Sequence, residues 1–110
     1  MIVVTTDTIA GKRIIRTLGL VRGNTVRARH IGRDIVAVLR GLVGGEVHEY
    51  TKLLAESREQ ALDLMVAEAR SLGANAILRV NFMTSYIAAN MAELLAYGTA
   101  VIIEDNRDGS

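Results

Sequence analysis

The sequence predicts an α+β fold, with strands at both ends of the chain and helices between them. Three observations predict it. The chain opens on a short β-branched run, Ile2 to Thr6. A long segment from Tyr50 to Leu72 carries apolar residues at helical spacing. Ala76 to Thr84 then alternates apolar and polar residues. The expected order is β-β-α-α-β-β, with a mainly antiparallel sheet packed on one long helix. The 110 residues allow one domain of ordinary size, expected over residues 1–105 with a polar tail at 106–110.

Each element follows from its residues. Asp7 bounds the first strand, and residues 7–13, with Gly11, Lys12 and Arg13, suit a polar connection. Ile14 to Ala28 is rich in Ile, Val, Thr and Leu, which favours extended backbone. Gly19 and Gly23 inside it predict one bent strand or two consecutive ones. From Ile31 to Val43 the period changes. Ile31, Ile35, Val38, Leu39 and Leu42 share a helical face, and Gly44-Gly45 would end that helix.

Leu54, Ala61, Leu62, Met65, Ala69 and Leu72 form the apolar stripe of the long helix, with Gly73 as its stop. At about 1.5 Å per residue that helix is about 33 Å long, enough to cross a small sheet. In the next strand Ala76, Leu78, Val80 and Phe82 share one face, with Arg79 and Asn81 on the other. A loop at Ser85 to Asn90 would then lead into a last strand from Met91 to Glu104, although Tyr86 and Ile87 are unusual loop residues.

Composition excludes several classes of function. The chain has no Cys, which rules out a disulfide scaffold, a zinc-thiolate site, an iron–sulfur cluster and a cysteine nucleophile. A formal charge of +1 argues against a strongly basic nucleic-acid binder. The basic N-terminal half also lacks aromatic residues on which bases would stack. No nucleic acid and no membrane are therefore expected as partners. Residues 1–10 lack the features of a secretory signal, no run reaches the length of a membrane span, and a cytoplasmic protein is expected.

The last strand predicts self-association. Ala92, Leu94, Ala96, Gly98, Ala100 and Ile102 fall on one face, and Leu95, Tyr97, Val101 and Ile103 are among those on the other. One helix covers one face. Leaving the four large side chains of the second face exposed would forfeit about 6–12 kcal/mol, at about 1.5–3 kcal/mol each. Either the segment Ile31 to Val43 covers them within the chain or another copy does. Charge is divided in the same spirit. Residues 1–45 hold 8 Lys+Arg and 2 Asp+Glu, and residues 46–110 hold 5 and 10. Opposite patches would meet in a head-to-tail assembly, or neutralise each other across the sheet.

Chemistry-bearing motifs are sparse. His30, Asp34, Glu46 and His48 are the candidate metal ligands, with Glu49 beside them. His30 and Asp34 lie four apart, and His48 falls in the turn expected before the long helix. Two histidines 18 residues apart without cysteine fall short of a metal motif, and Arg29 and Arg33 flanking His30 oppose a cation. The structural alternative makes them polar residues near helix starts. Gly19-Leu20-Val21-Arg22-Gly23-Asn24 is neither a dinucleotide fingerprint nor a P-loop, and reads as a bend. Arg27, Arg29 and Arg33 would suit an anion at a helix start. Ser57, Ser71 and Ser85 have no His and Asp arrangement around them, and Glu59 and Asp63 suit a solvated helix face. No catalytic residue is assigned and no enzyme is expected.

The segments Leu18-Gly19-Leu20-Val21-Arg22-Gly23, Arg33-Asp34-Ile35, Gly44-Gly45-Glu46 and Tyr50-Thr51, then Ala61, Leu72-Gly73-Ala74-Asn75-Ala76 and Ala96-Tyr97-Gly98-Thr99-Ala100-Val101, together resemble the YbjQ-like family, often labelled heavy-metal-binding. The resemblance spans roughly residues 2–104. It implies a dodecin-like subunit, a homopentameric ring, no established enzymatic activity, and a divalent heavy metal as the candidate cofactor. Beside it stand three functional readings: a ring-forming protein that binds a small ligand in crevices between subunits, a metal-binding protein proper, and an enzyme of unknown type. Tyr50 is expected to anchor the long helix on the sheet or to line a pocket between subunits.

Overall fold

The computed structural model describes residues 1–27, 44–88 and 91–106. In chain order the described elements are β1 (Ile2–Val3), β2 (Lys12–Arg27), α1 (Gly44–Ser71), β3 (Ala76–Ala88) and β4 (Met91–Asp105). They form a four-stranded sheet of order β1-β3-β4-β2. The β2–β4 and β3–β4 pairs are antiparallel and β1–β3 is parallel, so the sheet is mixed and the fold is α+β. The helix expected at Ile31 to Val43 lies outside the described residues.

Three boundaries differ from the sequence reading. The long helix begins at Gly44, not near Tyr50. Gly44-Gly45 therefore opens this helix and does not sit in a loop between two. Glu46, Val47, His48 and Glu49 contain no breaker, and acidic residues in the first turns suit the positive end of the helix dipole. At 28 residues the helix is about 42 Å long. β3 runs on to Ala88, because Ser85, Tyr86 and Ala88 pair with Glu93, Ala92 and Met91 across a short connection. The β-branched opening run forms only two residues of regular strand, although Val4 and Thr6 go on bonding to the edge of β3.

The C-terminus of α1 closes as a Schellman motif. Gly73 adopts φ +86°, its N–H donates to the Arg70 carbonyl at 3.0 Å, and the Ala74 N–H donates to the Ala69 carbonyl at 3.0 Å. The stop predicted at Gly73 is where the chain turns. β2 is one bent strand, with register shifts against β4 between Ile14 and Arg16 and between Thr17 and Gly19.

The helix packs closest to the edge strand β2. A Cβ placed on Gly23 would lie 2.5 Å from the Met65 backbone nitrogen and 2.7 Å from Leu64 Cβ, and nearer still to the Ala61 carbonyl oxygen. Only a residue without a side chain admits the helix backbone there. Ala61, Met65 and Ala69 are fully buried over Val21, Ile77, Val80, Ala96 and Ala100, and Leu62 and Val66 pack on the same cluster. Ser57, one turn earlier, is also buried.

A second cluster lies on the opposite face of the sheet: Ala76, Leu78, Val101 and Ile103, packed against Val4 and Ile9. This overturns part of the sequence argument. Val101 and Ile103, expected to need cover from the segment Ile31 to Val43 or from a second copy, are 1% and 7% exposed because the chain between β1 and β2 crosses over them. The chain is nonetheless extended. Its radius of gyration is 17.8 Å, against about 13 Å for a compact domain of this size, and its principal extents are 59 × 24 × 16 Å.

Candidate functional site

The side chains of the sequence-predicted metal set lie outside those the structure describes. His30 and Asp34 lie outside the described residues. Glu46 and His48 fall in the opening turns of α1, not in a preceding loop, and their side chains are outside the description, as are those of Tyr50 and Arg27. No group of three or more His, Asp or Glu side chains converges among the described residues. An open depression of about 420 Å³ is lined by Ala55, Glu56, Glu59 and Gln60 on the exposed side of α1. Glu59 and Asp63 are solvated there, as expected.

The Gly19–Asn24 segment is structural. Gly19 stands at a register shift, and Gly23 accommodates the helix. Of the serines, Ser57 is buried, Ser71 Oγ donates to the Glu68 carbonyl at 2.6 Å, and Ser85 is exposed.

What the described residues present is a stretch of sheet that no other described segment covers. On the face away from α1, cross-strand register aligns Arg22, Tyr97 and Asn81 in one row, and Asn24, Leu95 and Met83 in the next. Leu20 pairs with Thr99 beside them, and Val26 with Glu93. Leu20 is 62% exposed, Met83 52% and Val26 48%, while Leu95 and Tyr97 are half-buried. Polar contacts brace the patch: Asn24 Nδ2 donates to Glu93 Oε2 at 2.9 Å. The apolar part of such a surface gains most by burial against a complementary one.

Arg79 marks the patch's lower edge. It takes a left-handed φ of 53°, rare for a residue with a side chain, at the shift where β3 and β4 lose register between Leu78 and Asn81. Its N–H donates to the Thr6 carbonyl and its own carbonyl accepts from Asn81 Nδ2, both at 3.0 Å. These bonds hold the kink at the point where the N-terminal segment leaves the sheet. Sequence reading put Ala76, Leu78, Val80 and Phe82 on one face; the kink divides them, leaving Ala76 and Leu78 in the second cluster while Val80 packs on the helix side and Phe82 shares the row of Ala96. The kink was not legible, because Arg carries no signal for a left-handed backbone.

Among the described residues, no helix is long and apolar enough to cross a membrane. Comparison with known proteins agrees with the family resemblance. A family model described as "Putative heavy-metal-binding", of the YbjQ type, matches residues 1–104. A UPF0145 protein of Methanosarcina acetivorans is 56% identical over 103 residues, covering 94% of this chain and 97% of that one. A UPF0145 protein of Thermococcus kodakarensis is 55% identical over 104 residues, covering 94% and 92%. Among solved structures, a protein of unknown function from the DUF74 family of Pediococcus pentosaceus superposes with a TM-score of 0.64 at 15% identity, covering 94% of this chain and 98% of that one, which speaks to the fold alone. A full-length family match together with relatives above half identity makes the chain a member of the YbjQ, or UPF0145, family.

Proposed function

We propose that this protein works as a self-associating, ring-forming module without catalytic machinery of its own, and that crevices between its copies hold a small ligand. The observation that carries this reading is the apolar sheet face of Leu20, Met83, Val26, Leu95 and Tyr97, left open by both α1 and the N-terminal segment. The extended shape supports it, since a chain this open buries less of its surface alone than a compact domain does. The family resemblance suggests five copies. Size-exclusion chromatography with light scattering, followed by native mass spectrometry of protein from its source, tests the reading. The expected result is a closed oligomer, with retained small molecules seen as added mass. A well-folded single subunit at micromolar concentration overturns it.

The description attached to the family model favours one second reading, a metal site that uses His30, Asp34, Glu46 and His48. A ring would gather copies of one ligand from several subunits, which a single chain cannot do. Calorimetric titration with zinc or copper tests it: heat at micromolar metal, lost in the His30→Ala/His48→Ala variant, supports the site, and no heat removes it.

A further inference from the structure

We propose that the row of Arg22, Tyr97 and Asn81 is a binding site for a small aromatic acid, with its carboxylate on Arg22 and its ring against Tyr97. This deepens the small-ligand part of the reading above and rests on it.

On the helix side of these strands, packing accounts for the residues. Gly23 admits the helix backbone, and a Cβ on Gly98 would lie 2.8 Å from Ile77 Cγ2 and 2.9 Å from the Leu78 carbonyl oxygen. Ala96 and Val80 belong to the core under α1. Arg22, Tyr97 and Asn81 stand on the opposite face and belong to neither core cluster.

Asn81 reaches this row through the Arg79 kink. Leu78 pairs with Thr99 and Asn81 with Tyr97, so three residues of β3 advance against two of β4. In an unbroken ladder Val80 would stand opposite Tyr97. The extra residue sends Val80 to the core and brings an amide into the row in its place. Left-handed backbone is costly at any residue with a side chain, and bulges characteristically re-aim a side chain. Here the one re-aimed is Asn81.

Three groups of different chemistry thus lie side by side, with about 4.5–5.5 Å between the Cβ atoms of neighbours. Arg22 is exposed and has no ion pair among the described residues. Glu93, the carboxylate of this face, lies two rows on and accepts from Asn24. Tyr97 is half-buried in an inner strand, and its hydroxyl has no hydrogen-bond partner among the described residues. Asn81 Nδ2 donates to the Arg79 carbonyl at 3.0 Å, which fixes the amide and leaves Oδ1 to accept. Leu95 and Met83 continue the surface as an apolar row.

These groups select the ligand. The single guanidinium of the row matches one carboxylate, which it holds through two parallel hydrogen bonds. The open part of the Tyr97 ring and its apolar neighbours favour a flat ring. Asn81 Oδ1 accepts from a hydroxyl or amino group at the far end. β2 and β3 stand about 9–10 Å apart across β4, a span that a para-substituted benzene ring fills together with its hydrogen bonds.

The probe is para-hydroxybenzoate, with the neutral para-hydroxybenzamide as control for charge. Saturation-transfer NMR on the full chain gives the dissociation constants, and light scattering on the same samples gives the oligomeric state. The expected result is saturable binding of the acid, weakened about tenfold or more in Arg22→Gln, with Arg22→Lys between. The amide should bind the parent protein as weakly as the acid binds Arg22→Gln. Circular dichroism confirms that the variants fold, as an exposed position permits. No saturable binding of the acid overturns the proposal. Equal affinity for acid and amide also overturns it, as does unchanged affinity in Arg22→Gln. An oligomer that fails to bind leaves self-association standing. A monomer that binds the acid through Arg22 keeps the site and removes the assembly.

Discussion

The side chain of Asn75 clasps the main chain of Ile103 through two hydrogen bonds: its Nδ2 donates to the Ile103 carbonyl at 2.9 Å, and the Ile103 N–H donates to its Oδ1 at 2.8 Å. The Asn75 backbone adds a third bond, its N–H donating to the Val101 carbonyl at 3.1 Å. One amide side chain thus imitates a strand residue, and joins the end of α1 to β4 before β3 begins. Asn75→Ala should destabilise the fold by about 1–3 kcal/mol, since it leaves both Ile103 groups without their partner. Asn75→Asp should fall between, keeping the acceptor and losing the donor. Urea unfolding at fixed protein concentration measures both, and an unchanged midpoint for the alanine variant would contradict the role.

Gly23 is expected to be the least replaceable residue of β2. In Gly23→Ala the new methyl meets helix backbone, which cannot rotate away as a side chain can. The cost should reach at least the about 1–3 kcal/mol typical of overpacking. A melting temperature within a degree of the parent protein would show that α1 sits further from β2 than described.

Leu20→Lys and Met83→Lys probe association without touching the core. At 62% and 52% exposure in the single chain, each should change subunit stability by no more than about 0.5 kcal/mol. Each should also lower the oligomeric fraction seen by light scattering, and weaken the dependence of melting temperature on concentration. Unaltered assembly in the double variant would move the contact off this face.

The strand ends carry a small pH dependence. Lys12 pairs with Asp105, and Arg13 with Glu104, across the β2–β4 ladder. A hydrogen bond from Lys12, and then its charge, hold the Asp105 carboxyl below its ordinary value. Lowering in the folded state means that this pair's contribution is present above the ordinary aspartate range and is lost as pH falls through the lowered value. Asp105 is solvent-exposed, so the contribution is slight and screened by salt. In Lys12→Met the Asp105 titration, followed by carboxyl NMR, should move upward to the ordinary range. No upward movement would dismiss the pairing in solution.

Much of the architecture was legible because local signals agreed with it. The stripe of Ala61, Met65 and Ala69 is the buried face of α1 and Gly73 is its stop, whereas the single face expected for Ala76, Leu78, Val80 and Phe82 is divided by the kink at Arg79. The helix start was missed because Gly44-Gly45 reads equally as an end or a beginning, and only continuity of the backbone distinguishes them. Residues 85–88 of β3 were missed because a strand's length depends on its partner. The proposed metal ligands were legible only as residue types, since four side chains spread over 19 positions carry no statement about distance.

By itself the sequence determined the fold class, the long amphipathic helix and the surplus of apolar surface on the last strand, since each depends on periodicity and burial along one segment. Only the tertiary structure decided where that surplus lies. The crossing of Val4 and Ile9 over Val101 and Ile103 removes one half of it, and the seating of α1 on Gly23 exposes Phe82 on the other side of the sheet. Both outcomes depend on which segments meet across many residues of chain, and periodicity along one segment does not record such meetings.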